Sequence, residues 1–173
     1  MEEIGIQASP KRIELVKFIH SLFSSKDLMN WKGNFEKTYI FNGVENIENN
    51  DLDSDFSGFA LQIEPNESEF PTKITLLRTD EEHLEERELF LALKLSEKFN
   101  SKTIISGPDY LAEDPYLSLI IDNGKIFEAD DSGTVWGDGE GTEVSIIKEI
   151  KINRYDFDSH GNLIEPVANK GYK

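Results

Sequence analysis

Two groups of spaced oxygen side chains could bind calcium. Asp51, Asp53 and Asp55, followed by Ser57, repeat the alternating ligands that open a calcium loop, but that loop needs glycine at its sixth position and glutamate at its twelfth. This chain has Phe56 and Gln62 there. Asp156, Asp158 and Gly161 keep the glycine, yet His160 replaces an oxygen ligand and Val167 the closing glutamate. A plain turn is the simpler reading at both places. His20, His83 and His160 are widely separated and form no HExxH pair, so a zinc hydrolase has no ligand set. Gly137, Gly139 and Gly141 imitate a phosphate-binding loop, but no GK[ST] follows, and Asp138 and Glu140 would repel a phosphate. There is no GxSxG elbow, and the absence of cysteine excludes disulfides, thiolate metal sites and cysteine nucleophiles. The expectation is a protein that is not an enzyme, with no catalytic, metal-ligating or cofactor-binding residues.

What remains is charge. The net formal charge is −16, and it is localised: residues 51–141 hold 22 acids and 7 bases, a net of −15, against −1 for residues 1–50 and 0 for residues 142–173. A surface of that sign repels nucleic-acid phosphates and anionic membranes and attracts a basic protein. The expected contact surface draws on Glu82, Glu85 and Glu86, and on Asp109, Glu113, Asp114, Asp130 and Asp131. Trp136 is the first aromatic anchor to consider, with a tryptophan folded back onto the core as the equal alternative. For the glutamate run itself, the simpler alternative is a solvated helix face whose acids suit a helix N-terminus.

These residues are placed by a helix and the strand after it. Thr79 to Glu82 supply a cap and an acidic first turn, so the helix is expected over Asp80 to Asn100. Leu84, Leu91, Ala92, Leu95 and Phe99 share one side, widened by Leu89 and Leu93, and Glu88 falls among them, as a partner-facing or buried carboxylate or at the edge of the core. Lys102 to Ser106 is the following strand. A second helix runs from Pro10 to about Ser24 on the stripe Leu15, Val16, Ile19, Leu22 and Phe23, with Ser9 as its cap. Strands are expected at Ile4 to Ile6, from Trp31 to Phe41, at Gly58 to Ile63, at Lys73 to Arg78 and over Glu143 to Ile152, the last with its register open. Tyr116 to Ile121 and Lys125 to Ala129 form a hairpin around Asn123-Gly124. Glu45 to Ser57 reads as a loop after the Asn42-Gly43 turn, Asp130 to Gly141 as a mobile or irregular loop, and Tyr155 to Ile164 as another hairpin turn before a polar tail from about residue 166. Residues 1–173 thus form one α+β domain, with a largely antiparallel sheet of about six strands and two principal helices.

From Leu89 to Ser132 the order of features is an apolar helix, the strand KTIIS, the acidic loop DYLAEDP and the hairpin YLSLIIDNGKIFEADDS. This order resembles the immunity proteins of bacterial polymorphic toxin and contact-dependent growth inhibition systems. The resemblance implies a cytoplasmic, non-catalytic protein that neutralises one cognate toxin, often a cationic nuclease. With no signal-peptide core and no apolar run long enough to span a bilayer, the sequence itself points to a soluble intracellular protein. The leading reading is therefore an acidic inhibitor that covers the active or nucleic-acid-binding site of a basic toxin. The alternatives are a nucleic-acid mimic that blocks DNA-binding proteins generally, and an enzyme of no recognised motif.

Overall fold

The computed structural model describes residues 1–31, 38–42, 45–49, 58–77, 81–108 and 116–164, and side chains within 1–28, 58–77, 81–108 and 116–164. The elements run β1 (Glu2–Ile6), α1 (Arg12–Leu22), β2 (Asp27–Trp31), β3 (Thr38–Asn42), β4 (Glu45–Asn49), β5 (Gly58–Pro65), β6 (Thr72–Leu77), α2 (Leu84–Phe99), β7 (Thr103–Ser106), β8 (Leu117–Asp122), β9 (Lys125–Asp130) and β10 (Ser145–Ile150). The strands make one sheet in the order β10-β9-β8-β7-β1-β6-β5-β2-β3-β4. Its neighbours are antiparallel except β2 and β5, which are parallel. The α+β class is as the sequence predicts, with more strands than expected.

The extra strands come from polar segments. Glu45 to Asn49, read as part of a loop, pairs with β3 in the register Ile40↔Ile47 and forms the sheet's edge, where polar side chains are tolerated. Trp31 and Phe41, read as the ends of one strand, close β2 and lie in β3, two strands that pair with each other. The Asp51 to Ser57 calcium pattern and the tail from 166 lie outside the described residues.

Alternation along the strands sorts the core into two layers. Glu2, Ile4 and Ile6 of β1 face the helices, whose buried stripes are Leu15, Val16, Ile19 and Phe23 from α1 and its end, and Leu89, Phe90, Leu91, Ala92 and Leu95 from α2. The opposite parity is buried too: Ile104, Ile120 and Ala129 pack with Phe70, Phe127, Trp136 and Val144 under the segment that links β9 to β10. Gly5 is required at this second layer, because a Cβ there would stand 2.5 Å from Ile104 Cγ2 and 2.9 Å from the Trp136 ring.

Both helices begin later than the sequence suggests. α1 starts at Arg12 behind Lys11, with no side-chain cap, so Ser9 does not cap it. α2 starts at Leu84 behind His83, whose left-handed conformation (φ 59°) is incompatible with a continuous helix from Asp80. Its end is as expected: Asn100 is left-handed (φ 46°), and the Ser101 amide reaches back to the Ser96 carbonyl at 3.1 Å. Ser96 also donates to the Ile121 carbonyl, and Thr103 Oγ1 to the Ala92 carbonyl at 2.9 Å, so α2 lies fixed along β7 and β8. The β8–β9 hairpin turns on Asn123 (φ 48°) and Gly124 (φ 77°), the pair of positive φ values a type I′ turn demands.

Candidate functional site

The chain leaves α2 at Phe99 and enters β7 at Thr103, so β7 runs back along the helix and its far end, Ser106 to Pro108, lies beside the helix start. Antiparallel to β7, β1 brings Met1 and Glu3 to the same place. A cavity of about 310 Å³ opens there. Leu84, Leu89, Ile105, Leu119 and Ile152 give it apolar walls, and Glu85, Glu86, Glu88, the Glu3 backbone region and Tyr155 supply its polar groups. Ile152 and Tyr155 arrive because the chain beyond β10 crosses the helical side: Arg154 donates to the Gly124 carbonyl, Phe157 packs on Phe90 with ring centroids 5.3 Å apart, and Ser25 and Ser159 share a hydrogen bond of 2.8 Å.

Glu88 is the chemically distinctive member of the wall. It is half-buried, and its Oε1 accepts the Glu3 backbone amide at 2.7 Å. Its other oxygen, Oε2, has no hydrogen-bond partner among the described residues. Burial pushes the Glu88 carboxyl up from 4.5 to about 8, the neighbouring Glu2 and Glu3 carboxylates reinforce that rise, and the Glu3 amide and the Met1 amino group oppose it. The cavity wall therefore carries a carboxyl that keeps its proton well above the ordinary carboxylate range. Glu2 has a different fate: it is fully buried and paired with the buried Arg87, which also donates to the Glu82 carbonyl at 3.3 Å. This pair anchors the first turn of α2 to the central strand. Glu3 bonds Lys73 at 3.0 Å.

The expected contact residues do not all gather here. Glu82 and Glu85 are exposed at the start of α2, and Glu86 is half-buried, with His83 Nδ1 at 3.7 Å. Asp130 is exposed at the end of β9, opposite Leu117, whose carbonyl accepts the amide of the cavity residue Gly107 at 2.7 Å. The Ser132 hydroxyl, and then the Ser132 amide that it accepts, hold its carboxyl below the usual range. Asp109, Glu113 and Asp114 lie outside the described residues. Asp131 corrects the sequence reading: only 5% exposed, it accepts the Ser118 hydroxyl and folds into the turn before Thr134. Trp136 is half-buried in the second layer, on the sheet face away from the helices, with the Lys73 ammonium 5.7 Å from its ring centroid. It is separated from the α2 glutamates by the sheet itself.

The glycine-rich segment is irregular, as expected, and tightly self-packed. Thr134 bridges to Gly141, and Val144 and Glu69 are joined through a 2.7 Å bond from the Val144 amide to the Glu69 carboxylate. Gly139 has its Cα so close to the Gly133 and Thr134 backbone that a Cβ would stand 2.4 Å from the Gly133 carbonyl carbon. These glycines serve backbone contact. The second calcium pattern is likewise committed to a turn: Asp158 Oδ1 accepts the His160 and Asn162 amides at 2.8 and 2.9 Å, and Oδ2 accepts the Asn162 side chain. Those bonds, the Asn162 amide first, lower the Asp158 pKa.

Sequence reasoning singled out Glu88 from its place on the helical wheel but had no means of finding the cavity, which is assembled from β1, α2, β7, β8 and the crossing segment. No helix among the described residues is long and apolar enough to cross a membrane. Comparison of the chain with known protein families, with characterised proteins and with solved structures finds no match in any of the three.

Proposed function

We propose that this protein is an acidic inhibitor that binds a cationic protein, in the manner of an immunity protein masking the active or nucleic-acid-binding site of a basic nuclease toxin in the cytoplasm. The observation that carries the reading is the concentration of 22 acids against 7 bases in residues 51–141. Within that span, Glu81, Glu82 and Glu85 stand exposed before and within the first turn of α2, and Asp130 is exposed at the neighbouring end of the sheet. Carboxylates there would occupy positions that phosphates take on a basic partner, speed encounter and exclude acidic competitors.

The test is to capture partners from the source cell on the immobilised protein, then express each captured protein in a naive host with and without this chain. The expected result is one basic partner that is toxic alone and harmless when co-expressed. Captured proteins that are neither toxic nor basic would refute the reading, and protection against unrelated basic nucleases would favour a nucleic-acid mimic instead.

A further inference from the structure

We propose that the cavity between the start of α2, β1 and the end of β7 is the socket for one arginine side chain of the cationic partner, with the guanidinium against Glu88 and the aliphatic stem against Leu84, Leu89 and Ile105. The proposal rests on the reading of the protein as an acidic inhibitor and gives that reading a specific contact. Three observations lead to it. The cavity, at about 310 Å³, lies at the small end of ligand sites and suits one long side chain better than a cofactor. Its walls are apolar where a stem would lie, and its carboxyl groups, Glu85, Glu86 and Glu88, come from the first turns of one helix. Glu88, finally, engages the Glu3 amide through Oε1 alone, so a half-buried carboxyl oxygen in the cavity wall has no donor among the described residues. Arginine fits this better than lysine, because its planar fork is less strongly hydrated and can bridge two carboxylate oxygens. Buried arginines are also among the side chains that dominate protein interfaces.

Docking a guanidinium would change the protonation of Glu88. Free Glu88 titrates at about 8. The charged and titratable groups near it are Glu2, paired to Arg87 on the same face, Glu3, whose amide reaches Glu88 while its carboxylate turns to Lys73 on the other face, the Met1 amino group, Glu85 and Glu86 of its own helix, and Tyr155. A cation added to this set stabilises the carboxylate, so binding expels the Glu88 proton. Affinity should then rise with pH between the bound-state and free-state midpoints, by about tenfold in total for each pH unit that binding takes off the Glu88 midpoint, a fall expected to be about one unit.

The probe is N-acetyl-arginine amide, with N-acetyl-citrulline amide as its uncharged counterpart of nearly the same shape. The readouts are the carboxyl ¹³C resonance of Glu88 against pH and the methyl resonances of Leu84, Leu89 and Ile105. With millimolar arginine probe the Glu88 midpoint should fall by about one pH unit and the three methyls should shift, while citrulline leaves both unchanged. Glu88→Gln keeps an acceptor for the Glu3 amide and should weaken the arginine response severalfold without altering the amide spectrum elsewhere. An unmoved midpoint, an equal response to citrulline, or undiminished binding to a folded Glu88→Gln protein would each overturn the socket. No partner takes part in this experiment, so its failure leaves the charge-based reading to the capture and co-expression test, and failure of that test leaves a measured socket standing.

Discussion

Glu88 should make the protein less stable as pH rises through neutrality. The unfolded chain releases this proton near 4.5 and the folded protein near 8, so between those values the folded state holds the extra proton. Stability then falls with increasing pH, by about 1.4 kcal/mol per pH unit, and the loss levels off above the folded-state value. Across the whole interval the loss is about 5 kcal/mol if burial acts in full; Glu88 borders an open cavity whose water relaxes around the carboxylate, which brings the expected figure to about 3 kcal/mol. Glu88→Gln mimics the protonated acid at every pH. The two proteins should therefore be nearly equal in stability at pH 5, and by pH 9 the variant should be the more stable by about 3 kcal/mol, a gain in thermal midpoint of roughly 6–12 °C for a chain of this length. Urea unfolding of both proteins from pH 5 to pH 9 measures this, and taking their difference cancels groups common to both. Parallel pH profiles would refute the reasoning, since they would mean that Glu88 titrates alike in the folded and unfolded chains.

Breaking the buried Glu2–Arg87 pair from one side, by Arg87→Met, should cost about 3–5 kcal/mol in urea unfolding, because it strands a fully buried carboxylate on the central strand. The double change Glu2→Gln with Arg87→Met should cost less than Arg87→Met alone, and the opposite order would show that the pair is not the source of the loss. Gly5→Ala should destabilise by about 1–3 kcal/mol and shift Trp136 fluorescence, because the new methyl meets Ile104 and the indole ring. Adjacent acids should separate cleanly: Asp130→Lys should fold like the native protein, whereas Asp131→Lys should lose about 3 kcal/mol or more, as measured by thermal unfolding. Association with the cationic partner should slow markedly as salt rises over the range in which the Debye length shrinks to about 3 Å, and a rate indifferent to salt would remove electrostatic steering.

What the sequence made legible was whatever short-range pattern decides. The stripes of both helices, the Asn123-Gly124 turn and the alternation in β5 are written in neighbouring residues, and each element forms over the body of its pattern. Helix starts were less legible: His83 takes a left-handed conformation just before Leu84, which the acidic run and capping residues from Thr79 do not announce. β4 was hidden because an edge strand can be polar, so Glu45 to Asn49 carries the composition of a loop. The two faces of the sheet were hidden for another reason: alternation shows that residues face opposite ways, and says nothing of what covers the second side. That is why Asp131 read as a surface group, although Ser118 holds it in the second layer, and why Trp136 was left open between an exposed anchor and a ring folded onto the core, the place it takes beside Phe70 and Ile104.

The same covering narrows the choice of functional surface. On the second face, the features with apparent chemistry have structural roles: the glycines make close approaches, one Asp131 oxygen accepts the Ser118 hydroxyl, Glu69 accepts the Val144 amide, and Trp136 packs into the layer it closes. On the helical face, the buried charge of Glu2 is accounted for by Arg87. Glu88 differs, since no side-chain cation among the described residues pairs with it, burial holds its proton, and an apolar cavity lies beside it. A glutamine there would keep the Glu3 hydrogen bond and avoid the loss of stability that builds up between about pH 4.5 and 8, so folding alone gives no reason for an ionisable group at this position. An arriving cation gives one. It would convert Glu88 from a destabilising acid into half of an ion pair at the moment of binding, so the stability lost by the free protein would reappear as affinity for a positively charged side chain and as discrimination against a neutral one.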